Sequence, residues 1–158
     1  MPKHNGEFSN VLVPVNGTPA DHHALRVLSR LVDGKTANII AVYVVEVPQS
    51  LPLDADMQDE ISRGDAALNA VAKDAKILCH MRGEHLRTDI LQARTAGAAI
   101  VDEAANLRCD LIVMSAGVRD ERGRLTVGDT ANYVLTHAPC EVMLLRHPRG
   151  SLAAGAAA

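Results

Sequence analysis

Residues 109–146 read CDLIVMSAGVRDERGRLTVGDTANYVLTHAPCEVMLLR and contain a complete strand, helix and strand unit. The apolar run at 109–115 is typical of a strand that is buried on both faces, as in a parallel sheet. A polar loop follows, and residues 129–138 then predict a helix that Pro139 ends. The second apolar run, at 140–146, predicts the next strand. Two such strands joined by a helix favour a parallel α/β sheet.

The chain upstream of this unit repeats the alternation of strands and helices. Two buried strands and one more polar, alternating strand are predicted at 9–15, 37–45 and 85–93. Helices are predicted at 18–34, at 57–78, where apolar residues form a stripe on one face, and at 96–108. Right-handed crossovers then give a doubly wound, flavodoxin-like or Rossmann-like α/β fold, a five-stranded parallel sheet of order 3-2-1-4-5 between two helix layers (α/β/α). The polar third strand suits an edge of this sheet.

Local signals predict the ends and interruptions of the helices. Thr18 and Asp21 have the spacing of a capping box, and Pro19 suits the first helical position. Gly34 is the expected end of that helix. Gly64 interrupts the long second helix at a cost of about 1 kcal/mol relative to alanine.

Composition narrows the class of protein. The chain has 158 residues, of which 47% are hydrophobic and only 2% aromatic, so its core must consist mainly of aliphatic side chains. The net charge of −3 argues against a nucleic-acid binder, and no apolar run approaches the roughly 20 residues of a membrane span. The three cysteines are widely spaced, which is typical of buried thiols in a reducing compartment. We expect a cytoplasmic protein with an N-terminal tail at 1–8, one domain at 9–147 and a disordered C-terminal tail at 148–158.

Two loops are expected to meet where the winding of the sheet reverses. Ligands of doubly wound sheets bind at this point, beyond the carboxyl ends of the strands. The loops are VNGT at 15–18, after the first strand, and residues 115–130, after the fourth. The second loop contains small residues, three arginines and a glycine just before a helix. Such a loop can bring backbone amides close to a phosphate.

Several segments resemble those of universal stress protein domains. They are NVLVPVNGT at the first strand, AVYVVEV at the second, CDLIVMS at the fourth and VGDTANYVLTHAPCEVMLLR at the end. The resemblance covers residues 8–147, and HAPCEVMLL is its most specific segment. It implies a five-stranded α/β fold, homodimers formed through the last strand at 140–146, and binding of ATP, AMP or another adenine nucleotide.

The family's phosphate loop has a fixed spacing from which this chain departs. The pattern is glycine, two residues, glycine, nine residues, glycine, and then serine or threonine. The residues at these positions, or one residue from them, are Ser115, Gly117, Val118, Gly128, Asp129 and Thr130. A carboxylate about 5 Å from one phosphate charge would cost roughly 3 kcal/mol at an effective dielectric near 20. Asp129 therefore has two interpretations, a cap of its own helix or a neighbour of a bound phosphate or another small anion.

The resemblance implies further ligand contacts. Asn16 replaces an acid after the first strand and can hydrogen-bond a ribose or an adenine edge, and Val42 matches the adenine-contacting position on the second strand. Arg122 or Arg124 is expected to bind phosphate, although a solvated loop explains these arginines equally well.

No catalytic motif is visible. The chain has neither a P-loop nor a Gly-x-Ser-x-Gly elbow, and its scattered histidines predict surface or capping roles. The first hypothesis is a stress-response sensor or binding module, not an enzyme, that holds an adenine nucleotide. Slow incidental ATP hydrolysis is compatible with it, and the only metal expected is Mg²⁺ that accompanies the nucleotide. The second hypothesis is a nucleotide-free dimer with a degenerate phosphate loop that docks a partner protein.

Overall fold

A computed structural model describes residues 8–148, and its elements follow the predicted alternation. The strands are β1 Asn10–Pro14, β2 Asn38–Glu46, β3 Leu86–Ala93, β4 Leu111–Gly117, β5 Arg119–Glu121, β6 Arg124–Thr126 and β7 Glu141–His147. The helices are α1 Pro19–Leu28, α2 Gln58–Leu78, α3 Ala96–Asn106 and α4 Asp129–His137, with a 3-10 turn at Gly83–His85. Apart from Phe8 and Pro148, the two predicted tails lie outside the described residues.

Five strands form one parallel sheet in the order β3-β2-β1-β4-β7. The predicted α/β class and strand order are confirmed, with β7 as the fifth strand. The polar strand β3 is an edge of the sheet, as its pattern indicated, and β7 is the opposite edge. The winding reverses between β1 and β4, so the loops that follow these two strands lie at the same end of the sheet.

The core consists of two layers, one on each side of the sheet. Val13 and Leu25 are fully buried in the layer beneath α1 and α2. Leu12 and Val134 are fully buried in the layer beneath α3 and α4. Neighbouring residues of β1 thus face opposite layers, because successive side chains of a strand alternate. Burial of each such side chain stabilises the fold by about 1.5–3 kcal/mol, which explains why the central strands are almost entirely apolar.

Two glycines have roles that differ from those predicted. α1 ends at Leu28, and Gly34 instead lets the chain pass the end of α2, because a Cβ there would lie 1.8 Å from the carbonyl oxygen of Cys79. Gly64 is buried in α2, and a Cβ there would lie 2.7 Å from Cδ1 of Tyr43. Close packing of α2 on β2 therefore requires Gly64, beyond the modest helix cost that was predicted.

The largest departure from the predicted elements follows β4. This strand continues to Gly117, two residues past its predicted end, and the next segment forms the antiparallel hairpin β5–β6. Arg122 and Gly123 at its turn have φ values of 54° and 80°. Positive φ at both central residues is the property of a type I′ turn, whose twist matches that of the paired strands. Three-residue polar strands carry too little pattern to be distinguished from a loop in the sequence.

Candidate functional site

A crevice opens where β1 and β4 separate. These strands pair only at Val11 with Leu111 and at Leu12 with Ile112. In contrast, β4 stays paired with β7 along its whole length. The space between the diverging strand ends has a volume of about 260 Å³. The reversal point of the sheet therefore contains a cavity, as expected for a doubly wound fold.

Four of the predicted site residues line this crevice. Asn16 borders it after β1, and Ser115 and Gly117 border it at the end of β4. Thr130 contributes from the first turn of α4. The structure thus brings both predicted loops to one cavity, while contact of these residues with a ligand stays a prediction.

The other predicted site residues lie outside the lining of the crevice. Val42 is fully buried in the layer beneath α3 and α4, and its neighbours Tyr43 and Val44 line the crevice instead. Arg122 occupies the hairpin turn. The remaining three, which lie in or beside the hairpin, are Arg124, Gly128 and Asp129. Gly128 is the N-cap of α4, and the other two line a separate groove together with Glu121 and Arg146.

Hydrogen bonds within the loop after β1 satisfy its backbone amides. The Asp21 carboxylate accepts hydrogen bonds from the amides of Asn16, at 3.1 Å, and Gly17, at 2.8 Å. The Asn16 side-chain oxygen accepts from the Thr18 amide and hydroxyl, at 3.1 and 2.6 Å. The predicted capping box is therefore wrong, because Thr18 makes no side-chain cap and the carboxylate reaches amides that precede it. Burial raises the pKa of Asp21 above its ordinary value, and the amide hydrogen bonds offset only part of this effect.

The start of α4 presents amides without such partners. The Gly128 amide donates to the Thr126 hydroxyl at 3.1 Å, and the Asn132 amide is bonded to the Gly128 carbonyl at 3.1 Å. The amides at 129–131 precede the first intrahelical bond, and no side chain within residues 8–148 caps them. They add to the positive end of the helix dipole. This end of the crevice is therefore suited to an anion.

Arg119 lines the crevice, although it was not among the predicted site residues. It is the only charged side chain among the described residues that line the crevice. Its guanidinium carbon lies 3.7 Å from the position that a Cβ on Gly128 would occupy. No ion pair in the described part of the chain involves Arg119. Arg119 is the first of the three arginines after β4, which was the available signal, but the three could not be ranked without the hairpin.

Other polar groups do not form a catalytic or metal-binding arrangement at the crevice. The Ser115 hydroxyl donates to the Ala20 carbonyl at 3.3 Å. Residues 8–148 contain no group of three or more His, Cys, Asp or Glu side chains that could hold a metal ion. None of their helices combines the length and the hydropathy that crossing a membrane requires.

The two adjacent histidines of α1 point in different directions, because successive residues of a helix do not share a face. His22 Nδ1 lies 2.8 Å from an Asp74 carboxylate oxygen, and the His23 ring meets the His147 ring edge-on with centroids 5.2 Å apart. His147 is buried, so the surface or capping role predicted for it is wrong. Burial lowers the pKa of His147, and the neighbouring His23 lowers it further.

The sheet order, the two helix layers and the crevice at the reversal point define an α/β protein of the flavodoxin-like class. Within that class, the family model described as the universal stress protein family matches residues 7–146. The chain therefore belongs to the universal stress protein family, which confirms the resemblance noted in its sequence.

Individual relatives agree with this assignment. Universal stress protein MJ0531 of Methanocaldococcus jannaschii is 27% identical over 153 residues, which cover 92% of this chain and 87% of the relative. The solved universal stress protein UspA from Lactobacillus plantarum is 28% identical, with a TM-score of 0.65 and coverage of 90% of this chain and 100% of the other. The universal stress protein from Archaeoglobus fulgidus, solved in complex with dAMP, is 17% identical, with a TM-score of 0.64 and coverage of 86% and 96%. This last similarity shows a shared fold.

Proposed function

We propose that this protein is a binding or sensor module that holds an adenine nucleotide in the crevice between β1 and β4. The observation that carries the proposal is that these strands separate beside Arg119 and the start of α4. Within residues 8–148, Arg119 has no ion-pair partner and no side chain caps this helix start. A cavity with apolar walls and anion-binding donors at one end matches the two halves of a nucleotide. The Archaeoglobus fulgidus protein supports the proposal, because its fold is similar and it was solved with dAMP.

Apolar walls favour a flat base in the inner part of the crevice. Val44, Ile100 and Met114 contribute aliphatic and thioether surface, and Tyr43 contributes an aromatic ring. Asn16 lies at the border of this space with its side-chain oxygen bonded to Thr18, which leaves the Nδ2 group to donate to a ring nitrogen or a ribose oxygen. These contacts position a nucleoside with its phosphate toward α4.

The proposal includes binding without fast turnover. The Ser115 hydroxyl engages a backbone carbonyl, and no acid or histidine belongs to the described lining, so none of these side chains can act as a general base. Mg²⁺ would be held by the phosphates of the nucleotide, because no carboxylate lines the crevice within residues 8–148.

Mass spectrometry and calorimetry test this function. Gently denatured protein is expected to release an adenine nucleotide, and calorimetry with AMP, ADP and ATP should detect binding. Ala116→Phe extends a crevice-lining side chain and should weaken binding at least tenfold, whereas Leu125→Phe, on an exposed part of the hairpin, should leave it unchanged. Circular dichroism verifies that both variants fold. The proposal is overturned if none of the three nucleotides gives binding heat at millimolar concentration.

A second candidate function, a homodimer that docks a partner protein, is favoured by β7. This strand is an edge of the sheet, and four consecutive apolar residues in it, Val142, Met143, Leu144 and Leu145, are only partly buried. Such edges are usually paired or covered in native proteins. Light scattering should find a dimer that Leu144→Glu converts to a monomer with unchanged circular dichroism. A monomeric wild-type protein would rule out this second function.

A cytoplasmic location is part of the proposal. Cys79, Cys109 and Cys140 are unpaired. Burial raises the pKa of the Cys79 and Cys109 thiols to about 11, so both stay protonated near neutral pH. Unpaired cysteines of this kind are typical of a reducing compartment. Cell fractionation with an antibody against the protein tests the location.

A further inference from the structure

We infer that Arg119 makes the crevice selective for nucleoside monophosphates over nucleoside di- and triphosphates. The inference rests on the proposed function and specifies its ligand. It starts from the observation that the described lining contains one cation and no carboxylate. The number of phosphates that the site can neutralise is therefore set by a single guanidinium and one helix terminus.

The hairpin places Arg119 against the start of α4. Arg119 is paired with Thr126 across β5 and β6, and the Thr126 hydroxyl accepts a hydrogen bond from the Gly128 amide at 3.1 Å. This links the hairpin to the N-cap of the helix. With the guanidinium carbon 3.7 Å from the Cβ position of Gly128, a phosphate at the first turn of α4 can receive donors from both the side chain and the helix.

The charge at this point matches one phosphate group. A phosphate monoester carries about −1.5 to −2 charges near neutral pH. The Asp129 carboxylate belongs to the same first turn, but it lines the separate groove together with Arg124 and Arg146 and is balanced there. In the crevice, the guanidinium supplies +1 and a helix N-terminus is equivalent to roughly +0.5, so their sum nearly balances one phosphate. Each additional phosphate of ADP or ATP adds about one more negative charge that no further cation of the described lining offsets.

The other arginines of the hairpin do not extend this positive site. Arg124 lines a separate groove, where Arg146 accompanies the carboxylates of Glu121 and Asp129, so the four formal charges cancel. Arg122 occupies the turn of the hairpin. Neither arginine belongs to the described residues that line the crevice, so neither can bind a second or third phosphate there.

The loop after β1 cannot replace the missing donors. Its Asn16 and Gly17 amides already donate to the Asp21 carboxylate, which occupies the position that an anion would take. A negative group held there also repels further phosphates. The volume of about 260 Å³ lies just below the roughly 300–1,000 Å³ of typical small-molecule sites, which suits a compact ligand.

Calorimetry with adenosine, AMP, ADP and ATP tests the selectivity. The wild-type protein should bind AMP at least about fivefold more tightly than ATP. Arg119→Ala should weaken AMP binding roughly tenfold or more, since a charge-assisted contact is lost, and should change adenosine binding less than twofold. Arg119→Lys should restore part of the AMP affinity. Arg122→Ala removes the same charge from the turn of the same hairpin and should change neither ligand, which makes it the matched control.

The outcomes separate this inference from the proposed function. ATP binding as tight as AMP binding, or an equal loss of adenosine and AMP affinity in Arg119→Ala, overturns the monophosphate selectivity and leaves nucleotide binding intact. A loss of AMP affinity in Arg122→Ala as large as that in Arg119→Ala also overturns it. If none of the nucleotides binds, the proposed function fails and the inference fails with it.

Discussion

The loops that follow β1 and β4 border the same crevice, yet their backbone amides have different partners. In the first loop, the Asp21 carboxylate accepts hydrogen bonds from the amides of Asn16 and Gly17. In the second, the first turn of α4 has no side-chain cap, and Arg119 lies beside it without an ion-pair partner among the described residues. A carboxylate of the protein itself thus accepts the amide hydrogen bonds of the first loop. The second loop retains free hydrogen-bond donors that a bound anion could use. We expect the first loop to govern stability and the second to govern ligand affinity.

The largest expected effect is the loss of stability in Asp21→Ala. This substitution leaves two amides of a partly buried loop without their charged acceptor and should lower the free energy of unfolding by about 3 kcal/mol. Arg119→Ala, in the second loop, should change the free energy of unfolding by less than about 0.5 kcal/mol, because the side chain is exposed and makes no ion pair in the described structure. Urea unfolding measures both values. Equal losses in the two variants would contradict the proposed division between the loops.

A smaller loss of stability is expected when the glycine at the start of α4 is replaced. Gly128 has φ 92° and ψ 163°, a conformation that is essentially restricted to glycine, so Gly128→Ala should cost about 2 kcal/mol. Gly117→Ala is the control, because a Cβ there meets no atom within 4 Å, and it should cost less than about 0.5 kcal/mol. Thermal and urea unfolding would compare them. A Gly128→Ala variant as stable as the control would show that this backbone conformation is not needed.

The smallest expected effect is a pH dependence that originates in the first loop. Burial raises the pKa of Asp21 in the folded state above its unfolded value, so the folded protein holds this proton more tightly. The contribution of Asp21 to stability is then fully present below the unfolded pKa and is lost as the pH rises through the folded pKa. Asp21→Asn lacks this titration. The unfolding free energy of the wild type minus that of Asp21→Asn should therefore decrease with rising pH and then level off.

Urea unfolding of both proteins at a series of pH values, from about pH 4 to about pH 7, measures this difference. Subtracting the variant removes the titration of all other groups that the two proteins share. A difference that increases with pH would mean that the amide hydrogen bonds of Asn16 and Gly17 outweigh the burial of the carboxylate.

Most of the fold could be predicted because burial leaves a local pattern. Continuous apolar runs identified the inner strands, the alternating pattern of β3 identified an edge, and right-handed crossovers fixed the sheet order. The roles of Gly34 and Gly64 could not be predicted, since each depends on a backbone or ring brought close by another element. The hairpin was missed because its strands have only three residues each.

The candidate site was predicted at the level of loops more accurately than at the level of side chains. Asn16 and Thr130 line the crevice because Asn16 lies two residues after β1 and Thr130 lies in the first turn of α4, and the sheet order determines the positions of both elements. Val42 was one residue away from the lining, and in a strand a shift of one residue turns a side chain to the opposite face. The anion-binding role that we propose for Arg119 likewise depends on which face of its strand this residue occupies.

The amino-acid sequence by itself determined the order of the helices and of the five strands of the parallel sheet, the family, and the pair of loops that meet at the reversal point. These properties follow from apolar periodicity and from short segments that act locally. Only the tertiary structure decided that β1 and β4 diverge and that Asp21 accepts hydrogen bonds from the amides of the first loop. It also decided that Arg119, rather than Arg122 or Arg124, lines the crevice. The physical reason is that the direction of a side chain depends on strand pairing and packing between segments that are distant in the chain.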